Sequence, residues 1–389
     1  MINIIKIKLR EIANSLMTIS QDKYGFEGCR GYAMFLLSYY QYTNDEQYYN
    51  KAISFIEKEL VHYSNNLNNM SFWTGMSGLG WFCNTFVKKY IDSDYDSGIE
   101  SLNDYMESIM LNDMRNGQYY YDYLHGGLGI AQYFISCNRF DSLSLLVDKL
   151  EQTAIFDFET KGLKWKTNTK HIDGGVDYNL SLSHGMSSII VILSKIYKLG
   201  IQQEKCKKML KCCINYVSAQ SMPKNQFNSM FCSLVTDDNK YYDSRLAWCY
   251  GDLCIAIALW HAYDALEEKD YLELLKHILH NTSKRINYDE TKIIDASFCH
   301  GSSGLAYIFK KMYKFTNVID CEYASKYWLD VTLKMSNHKS FSAGYAFLNG
   351  DREYISDYGL LNGISGVGLS LLSFIVDDFQ EWDKCLLLS

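Results

Sequence analysis

A short glycine signature recurs seven times along this chain, and no other feature restricts the fold as tightly. Five copies read Gly-x-x-Gly: Gly28-Cys29-Arg30-Gly31, Gly75-Met76-Ser77-Gly78, Gly126-Gly127-Leu128-Gly129, Gly301-Ser302-Ser303-Gly304 and Gly363-Ile364-Ser365-Gly366. Two degenerate copies, Gly185-Met186-Ser187-Ser188 and Gly251-Asp252-Leu253-Cys254, fill the interval between the third and the sixth. Successive first glycines lie 47, 51, 59, 66, 50 and 62 residues apart, a period that marks a repeat architecture built from one supersecondary unit.

Each unit follows one grammar. An apolar, often aromatic helix comes after the glycines, as in Gly304-Leu305-Ala306-Tyr307-Ile308-Phe309. A more charged, amphipathic helix comes next. Between Tyr271 and Leu279, the residues Tyr271, Leu274, Leu275, Ile278 and Leu279 share one face at helical spacing. The glycines permit left-handed turns and close backbone approach, and they leave helix N-termini clear for a ligand. The only proline is Pro223, so little interrupts long helices.

A strongly apolar helix paired seven times with an amphipathic one suits two concentric rings. The predicted fold is all-α: an α/α toroid of seven helical hairpins, forming a single domain over residues 1–389. An open solenoid would want polar terminal repeats. The last unit, Gly363 to Leu372, is as apolar as the middle ones, which favours closure.

A net charge of −7 with no basic stripe argues against nucleic-acid binding as the main task. No run approaches the ~18–20 apolar residues that cross a bilayer, so an integral membrane protein is not expected. The segment Met1 to Leu16 carries Lys6, Lys8, Arg10 and Glu11 and lacks a signal-peptide core. The expected compartment is the cytoplasm, where cysteines stay reduced and bind metals or catalyse. Nine of the twelve, all except Cys249, Cys254 and Cys299, read as small buried hydrophobes.

Unit five approaches its glycine through Arg245-Leu246-Ala247-Trp248-Cys249-Tyr250, and unit six through Phe298-Cys299-His300. Equivalent positions of successive repeats in a ring share one rim, so Cys249 should meet Cys299 and His300. A Cys₂His set gives one Zn²⁺ per chain three protein ligands and leaves a fourth position for water or substrate, the arrangement of catalytic zinc. His184, before Gly185, and Asp122 and His125, before Gly126, should border the same rim, with His125 the weaker candidate.

Trp248-Cys249-Tyr250-Gly251, Cys299-His300-Gly301, Ser183-His184-Gly185 and the glycine pairs together resemble the lanthionine synthetase C-like family, the cyclases of lanthipeptide biosynthesis. That resemblance implies zinc on Cys249, Cys299 and His300, His184 as acid/base, and Asp122, Arg245 and Tyr250 around it. It also implies a dehydrated precursor peptide with a leader as substrate, with a companion dehydratase and an exporter. The reaction adds a peptide cysteine to a dehydrated serine or threonine. Its thiol, with a pKa near 8.5 when free, becomes a thiolate on a metal.

The family usually continues unit five as Gly-x-Pro-Gly, whereas this chain has Gly251-Asp252-Leu253-Cys254. That departure bears on loop shape and substrate. A zinc prenyltransferase would want several basic residues for a diphosphate, and a carbohydrate-active toroid a pair of carboxylates near the turns. A noncatalytic zinc module that binds glutathione or peptide thiols would keep the ligands and dispense with His184.

Overall fold

The structure, a computed structural model, describes residues 1–19, 23–90, 98–167, 177–223, 226–236, 242–376 and 381–389. All seven first glycines cap helices: Cys29–Thr43, Met76–Thr85, Gly127–Ser136, Met186–Lys198, Asp252–Leu266, Ser302–Thr316 and Ile364–Leu372. These helices form the core. Met186–Lys198 buries ten of its 13 residues, whereas the following helix, Gln203–Ala219, buries seven of 17 along one face. Three hairpins reverse through a left-handed residue that ends the first helix, Asn44, Glu267 or Asn317, and so satisfy its last carbonyls.

The turn before each helix has a shared form. In four repeats the amide after the first glycine donates back seven residues: Met76 to Asn69, Gly127 to Tyr120, Ser302 to Asp295 and Ile364 to Asp357, at 2.8–3.1 Å. Left-handed backbone, expected at the glycines, occurs only at Gly251 among the seven caps (φ 85°). The others are extended, and space rather than φ excludes a side chain. A Cβ at Gly304 or Gly366 would run into the carbonyl of Phe298 or Leu360, six residues earlier. Unit five has Cys254 at this position, and its thiol donates to the carbonyl of Trp248, again six residues earlier, at 3.0 Å.

The chain divides into two compact units. The first comprises Met1–Asn69, Trp73–Tyr95 and Lys292–Ser389. Within it Cys29–Thr43 pairs with Glu46–Ser64, and Ser302–Thr316 with Ile319–Lys334. Ile364–Leu372, from the last repeat, packs against the first repeat's Cys29–Thr43 and the sixth repeat's Ser302–Thr316, while Ile2–Met17 covers it. First and last repeats are therefore neighbours, which an open solenoid forbids.

The second unit comprises Met70–Phe72 and Asp96–Thr291. Met186–Lys198 packs between Gly127–Ser136 and Asp252–Leu266, each accompanied by its amphipathic partner. Strands are confined to short antiparallel ribbons among the described residues. One bears on function: Asp177–Asn179 pairs with Leu234–Thr236, steadying the segment that leads to His184.

Arg30, inside the first glycine signature, has no solvent exposure and pairs with Glu59, equally buried, at 3.1 Å. Glu59 also accepts the Gly25 amide at 2.6 Å, and Arg30 donates to the Gly75 carbonyl at 3.2 Å, so one pair ties the first two turns to a helix. Glu59→Ala strands a guanidinium in the interior and should cost about 3–5 kcal/mol in urea unfolding. A loss below about 1 kcal/mol, the scale of an exposed pair, would contradict this account.

A candidate metal and proton-transfer site

Three turns of the second unit converge on His184. Its Nδ1 lies 2.6 Å from Asp122 Oδ2, although 62 residues separate them. The other carboxylate oxygen, Oδ1, accepts the His125 amide at 2.8 Å, so the turn that carries Asp122 also aims it. The His184 amide donates to Ser181 Oγ at 3.0 Å, and Asn179 Oδ1 accepts the Ser181 amide at 2.8 Å. The imidazole stays 28% exposed, enough to reach a substrate. His125 stacks near it with ring centres 6.2 Å apart, and Tyr250 lies 6.4 Å away.

Electrostatics follow the same contacts. Burial is the largest influence on His184 and lowers its pKa, but the Asp122 hydrogen bond and charge, with the nearby Cys249 thiol, outweigh it and leave the pKa raised. His125 is lowered, chiefly by burial. Tyr250 is pushed up to about 12, first by burial and then by Cys249, so its hydroxyl keeps its proton.

Cys249 is buried, and its carbonyl accepts from Ser183 Oγ at 3.4 Å, joining its loop to that of His184. Arg285 fastens the loop, donating to Asp252 at 3.0 Å and to the Ser244 carbonyl at 2.6 Å. Asp252 in turn accepts the Met230 and Phe231 amides at 3.0 Å each. Asp252 and Cys254, two residues of the departing Gly251-Asp252-Leu253-Cys254 sequence, are thus built into the turn. Burial raises the Cys254 thiol well above its ordinary pKa, which suits packing rather than coordination. Arg245 is half-buried in the same loop, and among the described residues no ion pair is seen for it.

In the first unit, the sixth repeat presents Cys299 and His300, both half-buried. Phe298 and Cys299 both donate their amides to the Leu361 carbonyl at 2.9 Å. Cys249 of the second unit, with Cys299 and His300 of the first, makes up the donor set expected from the sequence, two thiols and one imidazole. Two soft sulfurs and one imidazole suit zinc, and three donors leave a fourth position open.

Sequence reasoning named Asp122, His184, Cys249 and Tyr250, which the second unit does bring together. It missed Asn179, Ser181, Asp252 and Arg285. The Asn179-x-Ser181 turn had a local signal, a side chain that mimics a backbone turn. Arg285, 33 residues from Asp252, had none.

The sequence matches the family described as lanthionine synthetase C-like protein over residues 21–387. Among solved structures, nisin cyclase superposes with a TM-score of 0.75 at 20% identity, covering 99% of this chain and 96% of that one. The shared fold is an α/α toroid. A cellobiose 2-epimerase from Bacillus thermoamylovorans aligns at 0.42 and 12% identity over 90% and 87% of the two chains. An unsaturated glucuronyl hydrolase from Streptococcus agalactiae aligns at 0.49 and 12% over 97% and 93%.

The Asp122 contact carries a test of its own. Asp122→Asn removes the charge that does most to hold the His184 pKa up, and leaves only the weaker influence of Cys249 against burial. In the zinc-free protein, the His184 ring titrated by NMR should then fall from above 6.5 in wild type to below it in the variant. An unchanged midpoint would show that Asp122 does not set the charge state of His184.

Proposed function

The chain belongs to the lanthionine synthetase C-like family, and from that premise we propose that it is a zinc-dependent lanthipeptide cyclase. The reaction adds a cysteine thiol of a dehydrated precursor peptide to dehydroalanine or dehydrobutyrine, giving lanthionine or methyllanthionine. Cys249, Cys299 and His300 would hold the ion. When bound, it supplies positive charge that lowers the pKa of a coordinated substrate thiol.

His184 does the proton work. Its Nδ1 is engaged by Asp122, so Nε2 is the nitrogen left to take the thiol proton, and Asp122 stabilises the imidazolium that results. The sulfur lone pair forms the C–S bond at the β-carbon, and the alkene electrons move onto the α-carbon and its carbonyl as an enolate. Tyr250, still protonated, can donate to the enolate oxygen, and Arg245 balances its charge. His184 then returns the proton to the α-carbon, and no atom is gained or lost overall.

The single observation that carries the enzymatic reading is the 2.6 Å contact between His184 and Asp122 beside Cys249. A module that only bound glutathione or peptide thiols would need the three ligands and no charge-paired histidine. The reading takes the chain as one catalytic domain that works in the cytoplasm, where its twelve free cysteines stay reduced. No helix among the described residues is long and apolar enough to cross a membrane. The leader-bearing precursor, a dehydratase and an exporter would be its partners.

Wild type should bind about one zinc, and Cys249→Ala, Cys299→Ala or His300→Ala should each lower occupancy sharply in elemental analysis. His184→Ala should keep the zinc and slow thioether formation on the order of 10²–10⁴-fold, read as loss of free thiol after subtracting spontaneous addition. If His184→Ala cyclises as fast as wild type, the proton-transfer role is wrong. If wild type never exceeds the uncatalysed rate on dehydrated peptides, the thiol-binding reading replaces this one.

A further inference from the structure

Glu27 stands immediately before the first glycine of repeat one, the position that His184 and His300 hold in their own repeats. It is half-buried and makes no part of the proton-transfer group. Its carboxylate instead accepts two amides of the seventh repeat, Leu361 at 3.0 Å on Oε1 and Asn362 at 3.3 Å on Oε2. A Cβ at Gly359 would run into that carboxylate, so the loop is shaped closely around it. The next peptide along, through the Leu361 carbonyl, accepts the amides of Phe298 and Cys299. The Leu360 amide donates to the Phe26 carbonyl at 3.0 Å, adding a second link between the first and seventh repeats.

We infer that Glu27 is a positioning residue for the metal ligands of repeat six: through Leu361, it sets the backbone that presents Cys299 and His300. This rests on the zinc reading above. A helix-capping carboxylate would end its influence at its own turn. Here both hydrogen-bonding faces of one residue, Leu361, are used, the amide towards Glu27 and the carbonyl towards Cys299. Ligand backbones held this way keep donors at bonding distance without a search on each encounter with the ion, and loss of such outer contacts typically costs ~10–100-fold in metal affinity.

The test measures zinc affinity against a chromophoric chelator for wild type, Glu27→Gln, Glu27→Ala and Ser325→Ala, with fold checked by circular dichroism. It is run at pH 8, above the pKa of about 7 to which burial, then Asp357, raises Glu27. Ser325→Ala is the control: it loses a buried hydrogen bond to the Ala306 carbonyl elsewhere in the same unit. Glu27→Ala should bind zinc ~10–100-fold more weakly, Glu27→Gln should fall between it and wild type, and Ser325→Ala should match wild type. With Co²⁺ in place of zinc, the visible d–d bands should shift in Glu27→Ala and not in Ser325→Ala, a change that lower stability alone does not produce. Wild-type affinity and spectrum in Glu27→Ala would overturn the inference while leaving the zinc reading intact. If Glu27→Ala does not fold, Glu27→Gln decides, and affinity equal to wild type overturns it. A wild-type protein with no zinc affinity would overturn both.

Discussion

A carbonyl oxygen resting on a helix that has no Cβ to hold it away is the contact on which the rest of this structure depends. At Gly304 and Gly366 that oxygen comes from Phe298 and Leu360, and a side chain at either glycine would push the preceding loop off the helix. The close approach places the residues just before the first glycine at the helix N-terminus, where amides and dipole favour negative charge. His184, Tyr250 and His300 all occupy that place in their repeats. Where the fifth repeat gives up its second glycine, Cys254 keeps the loop near by a hydrogen bond to Trp248 instead of by absence of bulk. The alteration is tolerated because the contact survives in another form.

The proposed chemistry is divided among the repeats accordingly. The third supplies Asp122, the fourth His184, the fifth Cys249 and Tyr250, and the sixth Cys299 and His300. No single repeat contains a working combination. Asp122 and His184 form a charge-assisted pair only because helices Gly127–Ser136 and Met186–Lys198 pack side by side. Burial on its own would keep the imidazole neutral, so the carboxylate gives His184 the capacity to carry a proton.

Much of this was legible in the sequence because glycine sterics are local. Every glycine signature, including the two degenerate ones, marked a helix start, and the Cys249 and Cys299-His300 dipeptides stood at matching places before them. The direction of a side chain was not legible, which is why Asp122 could be placed near His184 but its contact could not be assigned. Ribbons such as Asp177–Asn179 with Leu234–Thr236 are three residues long, too short for an alternating pattern to register. The sequence gives Glu27 no mark beyond its place before a glycine. Its reach to Leu361 crosses 334 residues of sequence and exists only because the last repeat packs against the first.

The central claim is that the turns assemble a Cys₂His zinc centre with one open position. X-ray absorption at the zinc edge of the loaded protein tests it most directly. The account predicts two sulfur neighbours near 2.3 Å, one imidazole nitrogen near 2.0 Å and one further light atom, with one sulfur lost in either Cys249→Ala or Cys299→Ala. A shell of four sulfurs, or one of nitrogen and oxygen alone, would contradict it.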